Sequence, residues 1–64
     1  MTTAKTYLTH SKAPYGKLFA DTVARFQVGF VADGVCPDAE SAFDRAVEAA
    51  VRLLPAIKIK AQQA

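Results

Sequence analysis

Cys36 is the residue with the most specific chemistry in this chain. It is the only cysteine, and it stands within Asp33-Gly34-Val35-Cys36-Pro37-Asp38-Ala39-Glu40-Ser41. Pro37 is a helix-start signal, so Cys36 occupies a place where serine or threonine would normally cap. A thiol there gains from the helix dipole and the free backbone amides, which favour its thiolate. Such a group would be a reactive or redox-sensing thiol. Asp33, Asp38 and Glu40 oppose this, because nearby carboxylates disfavour another negative charge. The expectation is a small, buried, apolar side chain between two elements. His10 is the only histidine and the one available base, and nothing in the spacing brings it to Cys36.

The other candidate groups are weaker. One cysteine and one histidine fall short of the roughly four N/S ligands of a structural zinc site. Asp38, Glu40, Asp44 and Glu48 are too sparse for a calcium loop and suit a solvated helix surface near the positive end of its dipole. There is no glycine-rich phosphate loop and no serine-centred elbow. The chain is therefore expected to be no enzyme, with no catalytic residue, no metal and no cofactor. Lys5, Tyr7, Lys12, Tyr15, Lys17 and Arg25 interleave charge with rings that stack on bases, which makes them the candidate nucleic-acid contacts.

These groups must be positioned by very few elements. Sixty-four residues form one small domain, expected over 1–64 with 61–64 fraying. A chain this short buries only about 60% of its unfolded surface. A single cysteine excludes an internal disulfide, so a homodimer or a protein partner is the expected extra source of stability. The hydrophobic content of 52% agrees with that. No apolar run approaches the roughly 18 residues of a membrane span, and Met1-Thr2-Thr3-Ala4-Lys5 lacks the apolar core of a secretory signal. With an unpaired cysteine, this points to a cytoplasmic protein and no membrane partner.

Lys5-Thr6-Tyr7-Leu8-Thr9-His10-Ser11 alternates weakly and suits a short strand, with His10 on the surface at its end. Ala13-Pro14-Tyr15-Gly16 reads as a turn. Residues 17–32 carry two periods. Phe19, Val23, Phe26 and Phe30 fall on one helix face, whereas Ala24, Phe26, Val28, Phe30 and Ala32 alternate as in a strand. Val28, Phe30 and Val31 are β-formers, and Gly29 costs a helix interior about 1 kcal/mol. A strand over 24–32 is therefore expected, with a shorter one over 17–23 or, alternatively, a helix over 14–26. Asp33-Gly34 ends the strand. A helix is expected over 37–54, with Phe43, Val47, Ala50 and Leu54 inward and Glu48 paired to Arg52. Pro55 closes it. Ala56-Ile57-Lys58-Ile59-Lys60 then alternates as a last strand, with its lysines guarding a sheet edge. The fold class is α+β, a small two-layer sandwich of one amphipathic helix on a short antiparallel sheet.

The formal net charge is +2, and its distribution is uneven. Lys5, Lys12 and Lys17 make the start basic. Asp21, Asp33, Asp38, Glu40, Asp44 and Glu48 outweigh Arg25 and Arg45 in the middle. Arg52, Lys58 and Lys60 make the end basic again.

The order strand, glycine turn, Pro37-Asp38-Ala39-Glu40-Ser41-Ala42 and alanine-spaced helix resembles the junction in the partial RNase-H-like fold of HicB-type antitoxins. The likeness covers less than half of the chain. The longer glycine and proline pattern before the helix and a separate DNA-binding tail are both missing here. The resemblance fits small accessory proteins of phages and mobile elements.

The leading expectation is a non-enzymatic binding module, dimeric, that occupies a protein partner as an inhibitor or an antitoxin does. Its expected docking face is the alanine-rich helix at Ala42, Arg45, Ala46, Ala49, Val51 and Arg52. The alternative is a nucleic-acid module that uses the sheet face and the basic N-terminal residues.

Overall fold

A computed structural model describes residues 2–63. It holds four helices: α1 (Thr2–Ser11), α2 (Gly16–Ala32), α3 (Ala39–Arg52) and α4 (Leu54–Gln63). Among the described residues there is no strand. The α+β sandwich is therefore corrected to an all-helical fold, and the strands expected over 5–11, 24–32 and 56–60 are all helical. The strand that the HicB-type resemblance requires before the junction is also a helix. Of the tail, 61–63 belong to α4 and Ala64 lies outside the described residues.

Each correction has a physical cause. In α1 the threonine and serine hydroxyls find partners inside the helix itself. Thr9 Oγ1 donates to the Lys5 carbonyl at 2.8 Å and Ser11 Oγ to the Leu8 carbonyl at 3.0 Å. That removes much of the cost of placing such residues in a helix. Pro14 stops α1, and the turn at 12–15 lies where the sequence puts it. Gly16 then opens α2 directly against α1. A side chain at this position would overlap the backbone carbonyl of Ser11, so only glycine lets the two helices meet.

The helical period of α2 prevails because it matches a partner. Phe19 and Val23 are fully buried, and Phe26 and Phe30 stack beside them at 5.7 Å between ring centroids. They pack on α3, whose buried side is Ala42, Ala46, Val47 and Ala50. The alanines leave room for large rings to approach the α3 backbone. Burying such side chains is worth about 1.5–3 kcal/mol each, which exceeds the β-propensity of Val28 and Val31. α2 and α3 form the principal pair, and α1 and α4 cover its flanks. From α1, Tyr7 lies edge-on to Phe43 at 5.2 Å and tilted on Phe19 at 6.0 Å. From α4, Ile57 completes the buried cluster.

The junction at 33–41 stops one element and starts another, but it joins two helices, and Asp38 rather than Cys36 holds the cap position, with Pro37 just outside the helix. Gly34 takes φ +76°, a conformation that costs glycine little. The Gly34 N–H donates to Val31 and the Val35 N–H to Phe30, which satisfies the last carbonyls of α2. Asp38 caps α3 by accepting from the Ser41 N–H at 2.8 Å. The helix expected over 37–54 thus runs from Ala39 to Arg52. Pro55 ends it and lies in the first turn of α4, where a missing N–H breaks no helical bond.

Candidate functional site

Cys36 and His10 do not form a pair. Cys36 is buried in the loop between α2 and α3, where its N–H donates to the Phe30 carbonyl at 3.1 Å. His10, expected on the surface, is half-buried on α1, with its ring 5.1 Å from Phe19. The helix rise separates Phe19 from Phe30 by about 16 Å. His10 Nδ1 instead shares a 2.8 Å hydrogen bond with the Tyr15 hydroxyl. Among the described residues, no three His, Cys, Asp or Glu side chains converge as metal ligands would.

The basic and aromatic residues of the N-terminal half separate by role. Lys5, Lys12, Lys17 and Arg25 are exposed. Tyr7 is held in the aromatic cluster, and Tyr15 is engaged by His10 on one side and by Lys58, whose Nζ lies 5.6 Å from the ring centroid. Neither ring is a free platform for a base. Without a sheet there is no sheet face to bind nucleic acid and no sheet edge for Lys58 and Lys60 to guard. The lysines do gather: Lys12 and Lys17 flank the turn between α1 and α2, and Lys58 from α4 reaches the same turn.

The alanine-rich face of α3 divides as well. Ala42 and Ala46 are fully buried against α2 and are not available to a second molecule. Arg45, Ala49 and Arg52 remain accessible and line a shallow groove of about 220 Å³ with Phe30 and Glu48. Val51 faces the other way, into a groove shared with Thr6 and Val47. The Glu48–Arg52 pair is present at 3.9 Å with both side chains largely in water, so it contributes little.

The surface with unspent apolar area lies on α2. Val28 is 71% exposed, Val31 39% and the following Val35 53%. Ala24, Val28 and Val31 recur at i, i+4 and i+7, on the side of α2 away from Phe19, and Val35 lies in the loop that follows. Gln27, Val28, Val31, Ala32 and Ala39 line a shallow apolar groove of about 530 Å³. The Gln27 amide fixes its rim by donating to the Ala39 carbonyl at 2.7 Å. Leu8, Leu53 and Ile59 are also exposed, but singly, on three other segments. Isolated apolar residues are ordinary on a protein surface, whereas a contiguous stripe marks a binding surface. The signal was present in the sequence: the residues taken as one side of a strand include every fourth position of a second helical stripe.

Compared with known proteins, the chain matches no family model, no curated protein and no solved structure. No helix among the described residues is long and apolar enough to cross a membrane.

Proposed function

We propose that this chain is a non-enzymatic, cytoplasmic protein-binding module that works through the open face of α2. The observation that carries the reading is the stripe Ala24, Val28 and Val31, exposed beside a core that is already filled by the other side of the same helix. Occupying a macromolecular partner, as an inhibitor or an antitoxin does, requires no more than such a face. Covering these valines with a partner would add hydrophobic stabilisation in proportion to the apolar area removed from water. A photo-crosslinking residue introduced at Val28 or Val31 in living host cells tests it. Adducts of discrete mass are expected from both positions and none from Glu48 on the polar side of α3. The absence of adducts from α2 would refute the reading.

A second reading rests on the basic end, where Lys12 in the α1–α2 turn, Lys17 at the start of α2 and Lys58 from α4 surround one turn. There the chain binds a nucleic-acid backbone by charge alone, since Tyr7 and Tyr15 are engaged elsewhere. Such binding weakens steeply with salt, with a logarithmic slope of about −0.9 per phosphate neutralised on duplex DNA. Failure to bind heparin or DNA at low salt removes it.

A further inference from the structure

Resting on the reading of α2 as the docking face, we infer that its occupant is a basic amphipathic segment of another protein. The apolar side chains of that segment lie over Val28 and Val31, and its lysines or arginines over Asp38 and Glu40.

The groove on this face joins an apolar floor to an acidic end. Gln27, Val28, Val31 and Ala32 line it from α2, and Ala39 lines it from the start of α3. Asp38 and Glu40 flank Ala39 in the chain, and both are exposed. The hydrogen bond from Gln27 to the Ala39 carbonyl ties the start of α3, and with it both carboxylates, to the side of α2.

The chain supplies no base to neutralise this end. From Phe26 to Asp44 the sequence holds Asp33, Asp38, Glu40 and Asp44 and no lysine or arginine. Among the described residues the one ion pair is Glu48 with Arg52, further along α3. The last turn of α2 lacks a basic residue too, so the negative end of its dipole arrives here without a cation. The positive end of α3 offsets only about half a charge of the two carboxylates at its start. Arg25 stands one turn before Val28, with the carboxylate of Asp21 a turn further back.

This combination chooses among partners. Phosphate-bearing surfaces, whether nucleic acid or anionic lipid, are repelled by Asp38 and Glu40. An uncharged apolar segment gains from the valines and nothing from the carboxylates. A segment with apolar and basic residues at helical spacing gains from both, and the charges select it over other apolar segments.

The probes are two labelled amphipathic peptides of one pattern, one of leucine and lysine and one of leucine and glutamate, titrated with the full chain by fluorescence anisotropy. The lysine peptide is expected to bind, and the glutamate peptide to bind at least about 10-fold more weakly. Val28→Ser with Val31→Ser is expected to weaken the lysine peptide by about 10-fold or more. Asp38→Asn with Glu40→Gln keeps an acceptor for the α3 cap. That pair is expected to weaken the lysine peptide by about 3-fold at low salt and by less at high salt. Asp44→Asn with Glu48→Gln, which alters the groove shared with Thr6 and Val51, is expected to change it little. No binding of the lysine peptide, equal binding of the two peptides, or equal loss from the two carboxylate pairs each overturns the inference. In-cell crosslinks from Val28 distinguish the occupant from the face. Adducts whose linked segment is acidic or uncharged, or belongs to a second copy of this chain, overturn the basic occupant and leave the docking face standing. The absence of adducts removes both.

Discussion

α2 and α3 are packed against each other, yet they dispose of their apolar residues in opposite ways. α3 puts Ala42, Ala46, Val47 and Ala50 inward and turns Asp44, Arg45, Glu48 and Arg52 to water. Its apolar side is fully used. α2 puts Phe19 and Val23 inward and still carries Val28 and Val31 on its outer side. One helix is amphipathic in the ordinary sense, and the other is apolar on two sides along its C-terminal half. The difference separates what this chain needs for folding from what it keeps in addition. A short chain with a small core gains little from exposing valines to water, and this is why the second side of α2 is the face proposed for association.

The comparison breaks first where α2 meets the core. Phe19 is fully buried and touches Tyr7 and His10. Phe19→Ala is expected to cost about 3–5 kcal/mol, comparable to the whole stability of a domain this size. Loss of the cooperative thermal transition, followed by circular dichroism, would show it. Gly16→Ala is expected to cost nearly as much, about 3 kcal/mol, because the new methyl meets backbone rather than a movable side chain. A Gly16→Ala protein that melts like the parent would show that α1 does not dock on α2 as described.

The same substitution on the two sides of α2 sharpens the contrast. Val23 is 2% exposed and Val28 71% exposed. Val23→Ala is expected to cost about 2 kcal/mol. Val28→Ala is expected to change monomer stability by less than about 0.5 kcal/mol. Urea melts at low protein concentration isolate that difference. Equal costs would mean that the outer side of α2 is covered within one chain.

These two sides also explain how far the sequence could be read. The turn at Ala13-Pro14-Tyr15-Gly16, the stop at Asp33-Gly34 and the start of α3 after Pro37 were legible because proline and glycine act locally, although the cap is Asp38 and not Cys36. α3 was legible because its polar side is continuous. α2 was not, because apolar residues on opposite sides of a helix also alternate along the chain, and Phe26, Val28 and Phe30 satisfy both periods. Propensity then tipped 24–32 toward a strand, and only packing on α3 reverses it. The tail was misread on a shorter pattern: Ile57 and Ile59 alternate, yet just Ile57 is buried. The open side of α2 was not legible as a candidate docking face, since Val28 and Val31 also suit a strand. The alanine face of α3 took its place, although Ala42 and Ala46 are the floor of the core.

Gly29 offers a milder adjustment of α2. It lies inside the helix, and a methyl group there would meet open space. Gly29→Ala is expected to stabilise the chain by about 0.5–1 kcal/mol, raising Tm by roughly 3–8 °C. A fall in Tm would mean that this turn of α2 is not a regular helix.

The smallest effect concerns α3 and its cap. Asp38 accepts from the Ser41 N–H, and that hydrogen bond holds its carboxyl below the ordinary aspartate value of 3.8. A carboxylate with a lowered folded-state value stabilises the fold above its unfolded value. The contribution is complete at neutral pH and is lost as pH falls below 3.8 and through the folded value. Asp38→Asn keeps an oxygen acceptor for Ser41 but cannot titrate. It is expected to melt close to the parent at neutral pH and to lose less stability on acidification. Asp38→Ala removes the acceptor and is expected to lower Tm slightly at neutral pH. If the acid limbs of the parent and Asp38→Asn coincide, the cap is not made by the Asp38 carboxylate. α3 would then rest on its packing against α2 alone, on the alanines that give Phe19 and Val23 their space.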